Sequence, residues 1–308
     1  MISLAAIRAA SERIRSNVIR TRVLEDPTGN GLRYKAEHLQ RTGSFKVRGA
    51  TNRVILAAEA GATHVVTGSS GNHGQAVAYI ARQLGLKATI VVPEDAPRVK
   101  VRGIESWGAT VEFCGRTSTE RLARAAQIVT ETGAVFVAPY DDPEIMAGQG
   151  TTGLEIMEQA PDVETVFVPI GGGGLISGVA TAVKELNPRV RVVGVEPALA
   201  NDTYLSRQQA TRVNIGSSTT IADGLRSSEP GELTFPVVQR YVDEIVLVSE
   251  AEIRHACRYM LEQVKQAVEP SGAVSVAAAL RAGGRAVAII SGGNLDLAEL
   301  SGVPAWTV

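Results

Sequence analysis

Apolar positions along the chain alternate between short strand-like runs and longer stripes at helical spacing. Leu4, Ile7 and Ile14 recur near the helical period and predict an amphipathic helix over Ser3–Ser16. Thr63–Thr67, Ala88–Val92, Thr110–Phe113 and Ala134–Val137 read as strands, with Pro93 stopping the second and Pro139 closing the last. Helical runs lie between them at Gln75–Gln83, Pro97–Ser106 (which contains Gly103) and Thr119–Thr130. The second half keeps the rhythm. Helices are predicted over Pro143–Gln159, Leu175–Glu185, Ala251–Ala267 and Ser271–Arg281, and strands over Val163–Ile170, Val190–Val195 and Ala286–Ile290. Repeated strand–helix units imply parallel sheets joined by right-handed crossovers.

Composition narrows the class. A chain of 308 residues is long for one core and suits two α/β units. Hydrophobic residues make up 44% and aromatics 4%, with 31 glycines, as expected of a parallel sheet flanked by helices. Lys plus Arg (31) balances Asp plus Glu (32), which argues against a nucleic-acid binder. Cys114 and Cys257 stand far apart without metal-ligand spacing and read as reduced thiols of a cytoplasmic protein. Charge interrupts the N-terminus too early for a secretory signal, and no apolar run reaches the roughly 20 residues of a membrane span.

Four segments carry chemistry. Lys46 is wedged between Phe45 and Val47, just inside a predicted helix start, a poor setting for a solvated charge. Desolvation disfavours its ammonium form and makes the amine a nucleophile able to form a Schiff base; a snorkelling helical lysine is the ordinary alternative. Gly171-Gly172-Gly173-Gly174 follows an apolar strand and opens a helix, the arrangement of a phosphate cup made from backbone N–H groups. Glu196 then stands where a dinucleotide fold would keep its ribose-binding acid, but G-x-G-x-x-G is not met, because the third position is Ile176 or Ser177. Ser69-Ser70-Gly71-Asn72-His73 joins hydroxyls and an amide at a helix start and suits a carboxylate, or simply an N-cap. Ser291-Gly292-Gly293-Asn294 follows the last strand and by itself is a weak signal.

In order and spacing, Ser44-Phe45-Lys46-Val47-Arg48-Gly49-Ala50, the Ser-Ser-Gly-Asn-His-Gly loop, the four-glycine run and Ser291-Gly292-Gly293-Asn294 resemble the fold type II pyridoxal-phosphate enzymes over essentially the whole chain. The likeness is greatest to the branch of serine racemase, threonine dehydratase and threo-3-hydroxyaspartate dehydratase. It implies two domains with parallel-rich twisted sheets flanked by helices, similar to the tryptophan synthase β chain. Residues 1–63 and 142–308 would form the larger domain, and residues 64–141 a smaller one carrying the carboxylate loop. It also implies that Lys46 holds pyridoxal 5'-phosphate and shuttles protons, that Gly171–Gly174 bind the phosphate, and that Phe45, Asn72 and Glu269 lie at the cofactor, Asn72 at its ring hydroxyl. Ser291 would meet the pyridine nitrogen, and a neutral partner there suits prompt expulsion of a β-substituent. Ser69, Ser70, Gly71, Asn72 and His73 would grip the substrate carboxylate. Glu196, the Ala200 carbonyl and Asp202 would hold Mg²⁺, or Ca²⁺ or Mn²⁺, with oxygen ligands alone.

Within the branch, Ser70 is the expected proton donor opposite Lys46 and favours a racemase-like or hydroxyaspartate site. Arg121 matches a position at the far end of the substrate, where a guanidinium would pair with a β-carboxylate. Tyr140 stands where dehydratases tend to carry an aromatic, and Gly68 replaces a bulkier residue. The resulting expectation is a homodimeric dehydratase of L-threo-3-hydroxyaspartate, L-serine or L-threonine, with serine racemisation as the alternative. A nicotinamide oxidoreductase using the glycine run and Glu196, or a non-catalytic amino-acid-binding protein, would leave Lys46 unexplained.

Overall fold

Valine- and isoleucine-rich runs become the central strands of two sheets. The computed structural model describes residues 1–69, 71–96, 98–115 and 118–295. In chain order the first elements are α1 (Leu4–Ile14), β1 (Val23–Glu25), β2 (Leu32–Lys35), α2 (Lys46–Glu59), β3 (His64–Gly68), α3 (Asn72–Gln83), β4 (Lys87–Val92), α4 (Arg98–Glu105), β5 (Thr110–Phe113), α5 (Ser118–Thr132) and β6 (Val135–Phe136). They continue with α6 (Pro143–Gln159), β7 (Thr165–Pro169), α7 (Gly174–Leu186), β8 (Arg191–Pro197), α8 (Asp202–Gln209), α9 (Thr234–Tyr241), β9 (Glu244–Val248), α10 (Glu250–Tyr259), α11 (Pro270–Ala282) and β10 (Ala286–Ile289).

One sheet runs β5-β4-β3-β6 and is parallel throughout. The other runs β1-β2-β10-β7-β8-β9 and is parallel except where β1 meets β2. Strand β7 shows why its sequence is a continuous apolar run. Val166 and Val168 face a core built with Ile176, Val179 and Val183 of α7, while Phe167 faces the opposite core with Val274 and Val276 of α11. The smaller sheet packs on α3, and α2 joins that core through Val47, Ala50 and Val54. Among the described residues no helix is long and apolar enough to cross a membrane.

The structure differs from the sequence pattern in three ways. Strands β1, β2 and β9 and helices α8 and α9 lie where the periodicity predicts nothing. The helix expected over Ala251–Ala267 ends earlier: α10 passes into a π turn at Met260–Val264 and stops at Lys265, whose φ is 62°. The antiparallel β1–β2 pair breaks the expected parallel rule at one edge. Pro97, the expected start of α4, lies outside the described residues.

Candidate active site

The carboxyl ends of β3, β7 and β10 open into one cleft of about 1460 Å³, where ligands of open α/β sheets bind. Phe45, Lys46, Ser69, Gly71, Asn72, His73, Arg121, Gly171–Gly174, Glu269 and Ser291 all line it. Ser70, the expected proton donor, lies outside the described residues.

Lys46 is the first residue of α2. The chain just before it is pinned to the end of β10: Ser44 bridges Gly292, and the Phe45 N–H donates to the Ser291 carbonyl at 3.0 Å. Lys46 Nζ donates to the Pro139 carbonyl at 2.7 Å and lies 5.3 Å from the centroid of the Phe45 ring. Burial pulls its amine down to about 8. The adjacent helix N-terminus also disfavours a cation.

Two further helix starts face the same cleft. α3 begins at Asn72 and α7 at Gly174, and neither N-cap residue, Gly71 or Gly173, supplies a side-chain cap. Their first N–H groups are therefore suited to receive anions in the cleft that Lys46 also lines. Gly173 has φ +90°, a left-handed geometry that favours glycine.

The Asn72 carboxamide is oriented from both ends. Its Nδ2 donates to Glu269 Oε1 at 2.6 Å, and its Oδ1 accepts from Asn294 Nδ2 at 2.7 Å. Burial pushes the Glu269 carboxyl up to about 7, with the Asn72 hydrogen bond opposing. A Cβ on Gly292 would sit 2.1 Å from Glu269 Oε1, so the Ser-Gly-Gly-Asn turn needs its glycine for that carboxylate to approach. Ser291 Oγ donates to the Ser271 carbonyl at 3.3 Å. His73 is neutral: burial, reinforced by the charge of Lys46, pushes its imidazole down to about 3, and Nε2–H donates to the Val137 carbonyl at 3.0 Å. The Ser69 hydroxyl accepts from the Gly71 N–H at 3.4 Å. Arg121 reaches the cleft from α5, half-buried, and burial lowers its guanidinium pKa against the pull of Asp95.

Glu196, Ala200 and Asp202 do not line the cleft. They form a separate buried cluster where β8 turns into α8. Glu196 accepts from the N–H groups of Thr203 (3.0 Å) and Tyr204 (2.8 Å). Both Asp202 carboxylate oxygens are buried without a hydrogen-bond partner among the described residues. Burial, then the charge of Asp202, pushes Glu196 up to about 8, and burial pushes Asp202 up to about 7. Two buried carboxyls that repel each other, one of them orphaned, fit a cation with oxygen ligands. Among the described residues no three His, Cys, Asp or Glu side chains gather as a metal site, so a cation here would need the backbone carbonyl as a further donor.

Sequence reasoning overlooked several contributors. The Pro139 carbonyl, the bridging role of Asn294 and the Lys100–Asp223 ion pair at the cleft wall carry no local signature. Only the last involves residue types that would draw notice, and its partners lie 123 residues apart in the chain.

A low-pKa lysine that shares one cleft with two helix starts lacking side-chain caps fits a protein that holds an anionic aldehyde cofactor. The chain belongs to the pyridoxal-phosphate dependent enzyme family, whose sequence model matches residues 11–292. It is 44% identical to an L-threonine ammonia-lyase of Geobacter sulfurreducens, over 98% of this chain and 78% of that protein. It is 40% identical to a serine racemase of Dictyostelium discoideum, over 97% of each. The structure of maize serine racemase superposes with a TM-score of 0.93 at 39% identity, covering 97% of this chain and 96% of that one.

Proposed function

We propose that the chain is a dehydratase of hydroxy amino acids that converts L-threo-3-hydroxyaspartate, L-serine or L-threonine to a 2-oxo acid and ammonia. The single observation that carries this reading is the Lys46 amine, lowered to about 8 and lining one cleft with the two helix starts that lack side-chain caps. The threonine ammonia-lyase relatives support it.

When bound, pyridoxal phosphate supplies a sink for the electron pair left at Cα. Gly171–Gly174 and the start of α7 hold its phosphate, Asn72 and Ser291 its ring, with Phe45 and Glu269 alongside. The start of α3, with Ser69, Ser70, Gly71 and His73, holds the substrate carboxylate. Lys46 Nζ takes the proton from Cα. Lys46 Nζ returns that proton to the β-hydroxyl as the Cβ–O bond breaks, so that the hydroxyl leaves as water, and the released enamine hydrolyses to the 2-oxo acid and ammonia. His73, its imidazole pushed down to about 3, is too weak a base to compete with Lys46 for that proton. Racemisation of serine is the second reading, with Ser70 returning a proton on the face opposite Lys46; the serine racemase relatives favour it.

A 2-oxo-acid assay across the three substrates, with chiral analysis of the remaining serine, separates the two. Ammonia and 2-oxo acid in equal amounts are expected. D-Serine without 2-oxo acid would replace the dehydratase reading with the racemase one.

Capture of the aldehyde by Lys46 in the apoprotein is expected to accelerate with pH and level off above about 8, where the amine is neutral. A rate still climbing at the ordinary lysine pKa of 10.5 would remove the role of burial.

Arg121 is proposed to read the β-carboxylate of hydroxyaspartate. Arg121→Ala is expected to raise KM for hydroxyaspartate by about 30-fold and leave serine within about twofold, the scale of one lost charge-assisted pair. Equal losses on both substrates would remove that assignment.

Glu196, the Ala200 carbonyl and Asp202 are proposed to bind Mg²⁺, or Ca²⁺ or Mn²⁺. Chelation is expected to lower Tm by about 5 °C, with Mg²⁺ restoring it. Asp202→Asn should make Tm indifferent to chelator; an unchanged wild-type Tm would count against the site. Residues 64–141 as a separate small domain, a homodimer and a cytoplasmic setting belong to the same proposal. The first is supported by the four-stranded sheet within that range and the last by two unpaired thiols.

A further inference from the structure

We infer that Thr234, held in place by Asp141, is a positioning residue that aims the Gly173 amide into the phosphate cup and so sets the preference for a phosphorylated cofactor. The inference rests on the cofactor reading above and adds residues that lie outside the glycine run itself.

The Gly172 carbonyl accepts from Thr234 Oγ1 at 2.7 Å and from the Gly231 N–H at 3.3 Å. The described chain has no cis peptide, and in a trans peptide the carbonyl and the following N–H point to opposite sides. Holding the Gly172 oxygen against Thr234 therefore turns the Gly173 N–H the other way. Thr234 is fully buried and does not line the cleft, whereas Gly171–Gly174 do. The side away from Thr234 is the cleft.

Thr234 is itself anchored. It opens α9, and the Asp141 carboxylate accepts from the N–H groups of Glu232 (2.9 Å), Leu233 (2.9 Å) and Thr234 (3.3 Å). The Thr234 carbonyl accepts from Ser177 Oγ of α7 at 3.3 Å. A Cβ on Gly173 would lie 2.7 Å from Thr234 Oγ1, so the hydroxyl occupies the space behind the cup.

Asp141 also belongs to the segment that faces Lys46. Pro139 presents its carbonyl to the Lys46 amine, and the Tyr140 ring lies against Gly172, where a Cβ would meet its Cγ and both Cδ atoms at 2.4 Å. Three consecutive residues thus connect the amine, the cup and the start of α9. The geometry sets the separation between the group that captures an aldehyde and the amides that receive a phosphate monoester.

The test is equilibrium uptake of pyridoxal 5'-phosphate and of pyridoxal, which lacks the phosphate, by apoprotein. Thr234→Val removes the hydroxyl and keeps the shape. It is expected to weaken pyridoxal 5'-phosphate about tenfold, the scale of one lost hydrogen bond behind a charged contact, and to leave pyridoxal within about twofold. Thr234→Ser is expected to restore wild-type affinity, and Asp141→Asn, which keeps one acceptor oxygen, to weaken the phosphorylated form about threefold. Equal losses for both aldehydes, no loss for either, or failure of serine to rescue would overturn the positioning role. If Thr234→Val does not fold, Asp141→Asn decides in its place: a loss confined to the phosphorylated aldehyde supports the role, and an equal loss or none overturns it. A wild-type protein that takes up neither aldehyde would overturn the cofactor reading as well, and is distinguishable from failure of the variants alone.

Discussion

Lys46→Ala is expected to abolish cofactor trapping by borohydride and to lower turnover by at least about 10³-fold, the scale of a lost nucleophile and proton carrier. Among the described residues Lys46 and Lys100 are the lysines lining the cleft. Lys100 is paired with Asp223, whereas the Lys46 amine donates to the neutral Pro139 carbonyl and has no ion pair among the described residues. Lys100→Ala should therefore keep the trapped adduct, and loss of trapping in that variant alone would move the assignment to Lys100. Stability supplies a second readout with a definite sign. The folded pKa of Lys46, about 8, lies below its ordinary 10.5, so the unfolded chain binds the proton more tightly. Burial of the ammonium is unfavourable below about pH 8, and the penalty fades as pH rises toward 10.5. The apo variant should melt no lower than the wild-type apoprotein at pH 7. A lower Tm there would mean that the amine stabilises the fold.

Removing Arg48 should produce the largest stability loss. Arg48 follows Lys46 by two residues and is fully buried. Its guanidinium pairs with Glu37 through Nε (2.7 Å) and Nη2 (2.8 Å), and with Glu155 of α6 through Nη1 (2.7 Å) and Nη2 (2.8 Å). Lys35 of β2 donates to Glu155 at 2.6 Å and completes a charge-balanced quartet. Burial pushes the Glu37 carboxyl up, but Arg48 and Lys35 outweigh it and hold Glu37 below its ordinary range. Glu37 thus contributes stability above its unfolded pKa of 4.5, lost as pH falls further toward the folded value. Arg48→Met leaves two buried carboxylates facing one lysine and is expected to destabilise by about 3–5 kcal/mol. For a chain of this size the fall in Tm is about 10 °C. Adding Glu37→Gln, which leaves Lys35 and Glu155 as a balanced pair, should recover much of it. A Tm unchanged in Arg48→Met would show that the quartet is not a source of stability.

The main βα units were legible because each is set by local periodicity. The helix Pro143–Gln159 matches the structure at both ends, and Asp142 caps it by accepting from the N–H groups of Glu144 and Ile145. The missed elements have local patterns that mislead. β2 reads Leu-Arg-Tyr-Lys, and its Lys35 can be buried because Glu155 and Gln159 of α6 and the Thr21 carbonyl accept from its amine. α9 carries Pro236 near its start and draws its N-terminal stabilisation from Asp141, far upstream. The helix expected to reach Ala267 shows the opposite error: its apolar spacing continues past the π turn, but the backbone leaves the helix at Lys265.

The sequence by itself determined the alternation of strands and helices and the family, because a glycine run after an apolar strand and a lysine in Ser-Phe-Lys-Val-Arg-Gly are local signals. Only the tertiary structure decided how those signals act together. Lys46 meets a carbonyl 93 residues away, Arg48 a carboxylate 107 away and Asn72 a carboxylate 197 away. Such pairings are chosen by how the two sheets and their helices pack. A buried polar group must find its partner wherever the fold brings one, and sequence spacing carries no record of that choice.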